Sequence, residues 1–181
     1  FNNQKFNHFE DIDTILEKLL PLNYEIVVRP HPEFIKRYYS RVKELKQMNN
    51  RYSNLFIETN SASFDNILES ALLITDWSGI AIEFAWGMGK PVIFINTPKK
   101  IHNQDFETIG ILPLEDRIRN QIGTIINPSD VAKIDYVIEK EIRNKEKNKD
   151  MIMKLRNNYI FNWGESSNVA ANYIIKYCNE N

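Results

Sequence analysis

A short polar segment that follows an apolar run, Arg29-Pro30-His31-Pro32, combines two side chains that can bind a phosphate group. An arginine grips phosphate with two parallel N–H donors, and a histidine donates a hydrogen bond to it or serves as a general acid. The two prolines stiffen the loop and direct the chain away from the preceding strand. We therefore predict that Arg29, Pro30 and His31 contact an anionic ligand, with His31 as a catalytic candidate. A proline-rich turn with a surface histidine is the alternative interpretation.

A second candidate lies where another apolar run ends at Thr75, itself a predicted binding residue, and a helix is predicted to begin. Backbone N–H groups at a helix start form an anion site together with the hydroxyl of Ser78, and Gly79 lets a ligand approach the backbone closely. Asp76, a second catalytic candidate, can accept hydrogen bonds from neighbouring loops or from an acceptor substrate. Glu83 follows Gly79 by one helical turn and could accept from both hydroxyls of a ribose. Helix capping by Ser78 and an exposed acid at position 83 are the simpler alternatives.

Two further loops carry hydroxyl groups just before a predicted helix. The first includes Ser61 and Ser63. Contact of Ser63 with a nucleobase and simple capping of the helix explain the serines of this loop equally well. The second precedes the final helix, where capping is the simpler explanation and ligand binding is the alternative. The candidate binding residues of this later turn are Asn162, Gly164, Ser166 and Ser167.

Short β-rich runs alternate with helical patterns along the chain, and the runs are continuously apolar. Such strands are covered on both faces, and their alternation with helices is typical of a parallel sheet. We predict a doubly wound, Rossmann-like α/β domain with helices on both faces, and polar strand ends that meet at one edge. Residues 97–107 are predicted as a polar loop, and residues 143–150 as a solvated helix face or loop. The predicted strands are 24–28, 55–59, 71–75, 91–95 and 123–126, and the predicted helices are 9–20, 32–48, 64–70, 78–88, 131–142, 151–159 and 168–177.

Composition restricts the classes of partner. A chain of 181 residues with 43% hydrophobic residues suits one globular domain. Its 23 basic and 24 acidic residues give a net charge of −1, so no global positive field argues for nucleic acid, and an anion needs a local site. The single cysteine, Cys178, excludes an intrachain disulfide and a cysteine-based zinc cluster. His8 and His102 lack partners at ligand spacing, so we predict no metal and no cofactor.

Taken in order, the motifs resemble those of the CDP-glycerol glycerophosphotransferase family, whose members build teichoic-acid and capsule polymers. The resemblance rests on Arg-Pro-His-Pro, Thr-Asp-Trp-Ser-Gly before an acidic helix, Gly-Lys-Pro-Val-Ile-Phe and the late Ser-Ser turn, across residues 24–175. It implies that residues 1–181 form one Rossmann-like domain, the C-terminal, donor-binding half of a GT-B enzyme. It also implies that the N-terminal acceptor half lies outside this chain, which alone would bind nucleotide without turnover.

The resemblance also implies roles for single residues. His31 would contact the donor pyrophosphate and assist its departure, Ser78 would hold phosphate, and Glu83 would bind ribose. Since Gly79 stands where the family has a second serine, one phosphate-binding hydroxyl is lost, and CDP-glycerol, CDP-ribitol and a nucleotide-sugar all stay candidate donors. Trp77 stands where the family usually has tyrosine. Further positions that match the family's motifs are Arg29, Asp76, Ser166 and Ser167.

The implied partners are a nucleotide-activated donor and a polyol-phosphate or glycan acceptor, with no nucleic acid. The implied location is the bacterial cytoplasm, with peripheral contact of the full-length protein at the inner face of the plasma membrane left open. Two other functions also stay open. One is a nucleotide-sugar glycosyltransferase or UDP-sugar 2-epimerase-like domain, which base preference would reveal. The other is a non-catalytic α/β nucleotide-binding or interaction module, in which loss of His31 or Ser78 would alter only stability.

Overall fold

The computed structural model of the chain describes residues 10–60, 63–99 and 105–180. Within these residues, helices alternate with short strands. The strands are β1 (Ile26–Val28), β2 (Leu55–Ile57), β3 (Leu73–Thr75), β4 (Val92–Ile95) and β5 (Gly123–Ile126). The helices are α1 (Glu10–Leu19), α2 (Pro32–Arg37), α3 (Tyr39–Asn49), α4 (Asp65–Glu69), α5 (Ile80–Met88), α6 (Phe106–Ile109), α7 (Leu114–Ile122), α8 (Ile134–Arg143), α9 (Lys145–Tyr159) and α10 (Ser166–Glu180), and a 3-10 turn, Pro128–Lys133, precedes α8.

The strands form two open, parallel sheets, one of β1 and β2 and the other in the order β3-β4-β5. In the second sheet Val92 lies opposite Leu73 on one side and Gly123 on the other. The two sheets share hydrophobic packing, because Ile26 of β1 and Ile74 of β3 contact the same cluster of buried side chains. The predicted Rossmann-like α/β class is thus confirmed, although β1 to β4 are shorter than the sequence pattern indicated.

Strand β4 is the centre of the core, and all four of its residues are buried. Successive side chains of a strand point to opposite faces, and here both faces are covered. Phe94 packs with Phe84 of α5 and Ile118 of α7 on one face. Ile93 packs with Ile134 and other residues on the opposite face. Helices therefore lie on both faces of the three-stranded sheet, as the continuous apolar runs predicted.

Several predicted boundaries were wrong. The helix predicted over residues 32–48 is two helices, because the backbone leaves the helical region at Tyr38 (φ −126°, ψ 48°). Helix α7 was not predicted, and α6 begins inside the predicted polar loop. Residues 145–150 begin α9 and continue into the predicted helix 151–159. In the part of the chain that the structure describes, no helix has both the length and the apolar character to cross a membrane.

Candidate functional site

A shallow pocket lies at the carboxyl end of β3, where the chain turns into α5. Asp76, Trp77 and Ser78 line it from this turn, and Arg119 lines it from α7. Apolar side chains of α5, α7 and β4 form its remaining wall, together with one further acid. These other lining residues are Ala81, Ile82, Phe94, Glu115, Ile118 and Ile122.

The start of α5 lies beside this pocket, which Ser78, Ala81 and Ile82 line. Gly79 is the N-cap residue with a right-handed helical conformation, and among the described residues no side chain hydrogen bonds to the exposed amides of the first turn. The first backbone bonds of the helix run from the N–H of Ala81 to the carbonyl of Ser78 and from the N–H of Ile82 to the carbonyl of Gly79. The hydroxyl of Ser78 thus does not cap the helix, which was its simpler predicted role. The N–H groups before Ala81 remain available to an anion.

Trp77 is held in place from two sides. Its indole Nε1 donates to the carbonyl of Thr97 in the loop after β4, at 2.8 Å. The guanidinium carbon of Arg119 lies 3.7 Å from the centre of the ring. Lys99 lies 5.7 Å from the same ring and forms an ion pair with Asp116 of α7. These contacts fix the turn between β3 and α5 against the two segments that follow β4.

Arg119 was not among the residues predicted from sequence. It is 5% exposed, and its guanidinium carbon also lies 4.8 Å from the ring centre of Phe94. Its Nε and Nη2 atoms are buried and have no hydrogen-bond partner among the described residues. Burial lowers the pKa of this guanidinium, while the charges of Asp116 and Asp76 act in the opposite direction. If α7 had been predicted, Arg119 would have lain beside the apolar stripe of that helix. A cation in such a position would have been a candidate site residue.

Arg29 and Ser63 lie together at the carboxyl ends of β1 and β2. Arg29 Nη1 donates to the carbonyl oxygen of Ser63 at 2.8 Å and lies 3.7 Å from a carboxylate oxygen of Glu58. The guanidinium also lies 5.5 Å from the ring centre of Phe64, which is half-exposed. Arg29 therefore connects the end of β1 to the loop before α4 and remains partly exposed. Pro30 is buried, so its ring belongs to the interior of the loop and not to its surface.

His31 is exposed and is the N-cap residue of α2. Its Nδ1 accepts a hydrogen bond from the backbone N–H of Glu33 at 3.2 Å. A neutral imidazole that accepts through Nδ1 carries its proton on Nε2. The cap thereby selects the tautomer in which Nε2–H can donate to an anion, while Pro32 occupies the first position of the helix.

The other predicted site residues divide into two places. Thr75 is the last residue of β3, and Glu83 is exposed in the first turn of α5. The late turn lies elsewhere: Trp163 stacks on Arg156, whose Nη1 donates to the carbonyl of Trp86 near the other end of α5. A nine-residue helix is about 13 Å long. The structure does not bring this turn to the pocket, and ligand binding by Asn162, Gly164, Ser166 and Ser167 stays a prediction.

Metal ligation finds no support in the described ranges 10–60, 63–99 and 105–180, where no three His, Cys, Asp or Glu side chains cluster as ligands. His8, Ser61 and His102 lie outside the described residues. The polar groups that line the pocket are the acids Asp76 and Glu115, the Ser78 hydroxyl and the buried guanidinium of Arg119. A guanidinium suits an anion, whereas it cannot bind a metal ion.

Residues 3–111 match the family model described as CDP-Glycerol:Poly(glycerophosphate) glycerophosphotransferase. The match covers well over half of the chain and includes β1 to β4, both strand-end motifs and α5. Helix α7, with Arg119, lies beyond the matched residues. No curated protein and no solved structure matches the chain.

Proposed function

The chain belongs to the CDP-glycerol:poly(glycerophosphate) glycerophosphotransferase family, a family of transferases, and from this premise we propose that its strand ends bind a nucleotide-activated donor. In this proposal the donor's phosphates lie at Ser78 and the start of α5. The acceptor is a polyol-phosphate, and the product is a cell-surface polymer. The donor we favour is CDP-glycerol, which the family description favours over the nucleotide-sugars.

The observation that carries the proposal is the uncapped start of α5 at the carboxyl edge of a parallel sheet. Ligands of open α/β sheets bind outside the carboxyl ends of the strands. The aligned peptide dipoles of α5 place partial positive charge there, which stabilises a phosphate. In the described part of the chain, neither the first amides of α5 nor the Ser78 hydroxyl is engaged by a side chain. A helix start of this kind at a sheet edge is suited to bind an anion.

Other residues would contact the ribose and the base of the donor. Glu83 follows Gly79 by one turn and is exposed, so its carboxylate could accept from the ribose hydroxyls. Phe64 is exposed beside Arg29 and offers an aromatic face to a base. Arg29 already donates to Ser63, so in this proposal it shapes the base-binding loop as well as carrying positive charge.

The reaction would be a phosphoryl transfer. The oxygen of an acceptor hydroxyl would attack the phosphorus that carries the glycerol and form a new P–O bond. The bond from that phosphorus to the bridging oxygen would break, CMP would leave with the bonding electron pair, and the hydroxyl proton would pass to a base. Negative charge grows on the departing phosphate, where the start of α5 and the Nε2–H of His31 would stabilise it.

Calorimetric titration with CDP, CMP, UDP and GDP tests this proposal. We expect CDP to bind more tightly than UDP or GDP, and Ser78→Ala to weaken CDP binding about tenfold, because a hydrogen bond to a charged group contributes about 1.5 kcal/mol. His31→Asn should also weaken binding, since asparagine can still cap α2 but lacks the imidazole Nε2–H. The control is Ser53→Ala, an exposed serine just before the amino end of β2, a strand of the other sheet.

Each outcome of this titration has a definite meaning. Cytidine-selective binding that falls in Ser78→Ala and His31→Asn, with Ser53→Ala unchanged, supports the proposal. A preference for UDP or GDP contradicts the CDP-glycerol donor and favours a nucleotide-sugar enzyme. If CDP binds equally well to all three variants, the proposed location of the site is contradicted.

A further inference from the structure

Arg119 presents a buried positive charge, and two of its hydrogen-bonding groups are unused. The residue is 5% exposed, and neither Nε nor Nη2 has a partner among the described residues. Buried polar groups in proteins are almost always hydrogen bonded, and buried charges are almost always paired. An arginine retained in such a place therefore points to a partner that is not part of the described chain.

The surroundings of Arg119 restrict how that partner can approach. Trp77 covers one face of the guanidinium at 3.7 Å, and Phe94 lies 4.8 Å away by its ring centre. Stacking on aromatic rings stabilises the cation but leaves the N–H groups in the guanidinium plane without acceptors. A hydrogen-bonding partner must therefore approach in that plane. Planar, paired N–H donors suit the oxygens of a phosphate or carboxylate.

The nearby acids do not satisfy this arginine by direct contact. Asp116 is engaged by Lys99. Asp76 and Asp116 act on Arg119 by charge alone, since neither forms an ion pair with it in the described part of the chain. Glu115 and Asp76 line the same pocket, so the pocket holds acids as well as the arginine. An incoming anion would bind at the side where Ser78 and the amides of α5 add donors.

We propose that Arg119 is a further donor-binding residue, whose Nε and Nη2 groups donate to a phosphate of the donor held at the start of α5. This inference rests on the proposed function and deepens it, because it assigns a binding residue outside the region that matches the family. Two independent features converge on one pocket, namely the uncapped helix start with Ser78 and the unpartnered guanidinium. The phosphate would supply the negatively charged partner that Nε and Nη2 lack among the described residues.

Binding at Arg119 also requires a local rearrangement. The Nε and Nη2 atoms are fully covered, so a phosphate reaches them only when neighbouring side chains shift, and Trp77 lies in contact with the guanidinium, 3.7 Å from its central carbon. Trp77 fluorescence should therefore change on binding. Trp86 and Trp163 are the other tryptophans, and a Trp77→Phe variant identifies their share of the signal.

Inorganic pyrophosphate is the first probe, titrated into the chain at constant ionic strength with chloride as the competing anion. We expect the Arg119 Nε–H resonance in ¹⁵N NMR to shift on binding, and Arg119→Met to weaken binding at least tenfold. Arg119→Met should be as heat-stable as the parent chain or more so, because the variant no longer buries an unpaired charge. Arg119→Lys keeps the charge but not the paired donors, so it should weaken binding less than Arg119→Met does. Because this variant lacks the Nε–H group, its spectrum also identifies the Arg119 Nε–H resonance.

The inference is overturned if folded Arg119→Met binds pyrophosphate as the parent chain does, or if the folded parent chain binds neither pyrophosphate nor CDP at millimolar concentration. CDP binding that falls in Ser78→Ala but not in Arg119→Met also overturns it, while the proposed function stands. If pyrophosphate binds through Arg119 and CDP binds no more tightly than pyrophosphate, the phosphate contact is supported. The proposal that the donor is a nucleotide is then overturned. If Arg119→Met does not fold, the Arg119 Nε–H shift and the Arg119→Lys affinity decide the question.

Discussion

Replacing Gly123 with alanine is expected to lower the free energy of unfolding by about 3 kcal/mol, because the new methyl group has no space. A Cβ at this position would lie 1.9 Å from the carbonyl oxygen of Val92 and 2.7 Å from its carbonyl carbon. These atoms are backbone, and Val92 is the register partner of Gly123 between β4 and β5. The two strands must separate to admit the methyl group, so the pairing of β5 is weakened. Urea unfolding followed by circular dichroism measures the effect.

Gly87→Ala is the matched control for this substitution. Gly87 is exposed inside α5, and a Cβ there meets no atom within 4 Å. Alanine in a helix interior is about 0.5–1 kcal/mol more favourable than glycine, so this variant should be more stable than the parent chain. Equal stability of the two variants would contradict the close approach of β4 and β5. Because α7 ends at Ile122, the residue before Gly123, nucleotide binding should also be weaker in Gly123→Ala.

Trp77→Ala should lower the free energy of unfolding by about 3 kcal/mol, the usual magnitude for truncation of a packed tryptophan. The change removes the ring that stacks on Arg119 and the hydrogen bond to the carbonyl of Thr97. It also frees the turn that presents Ser78, so CDP binding should fall together with stability. Trp77→Phe keeps an aromatic face but loses the N–H donor, and should cost about 1 kcal/mol.

Trp163→Ala is the comparison for this effect. Trp163 also stacks on an arginine, with Arg156 at 4.3 Å from the ring centre, but it is 48% exposed. An exposed cation–π contact contributes about 0.5–1 kcal/mol, so the loss should be much smaller than at Trp77. If thermal and urea unfolding give the same loss for Trp77→Ala and Trp163→Ala, the Trp77 contacts do not hold the turn together.

The parts of the fold that sequence predicted best are those with the strongest local signals. The apolar run at β4 predicted a strand buried on both faces, and β5 was predicted with its observed bounds, residues 123–126. The start of α5 was predicted within two residues, because a serine and a glycine after an apolar run are typical of a strand-to-helix turn. Local sequence therefore predicted the strand-to-helix turn on which the second candidate site lies.

Other parts depend on contacts that local sequence does not contain. Helix α7 buries Arg119 between two apolar residues, Ile118 and Ile122, and most of its other residues are polar, as is typical of a loop. For this reason Arg119 was missed, although it is the most unusual side chain of the pocket. The break at Tyr38 contains neither proline nor glycine and gave no signal. The late turn of residues 162–167 matched a motif, but its distance from Ser78 depends on the packing of α9 and Arg156 against α5.

A ¹H–¹⁵N NMR titration of the chain with CDP, followed amide by amide, tests whether the donor's phosphates bind at the start of α5. We expect the largest shifts at the amides of Ser78, Gly79 and Ile80, with accompanying change at the Arg119 side chain. Saturable shifts confined to the turn of residues 162–167 or to the α8 surface around Tyr136, with the start of α5 unmoved, would contradict the account.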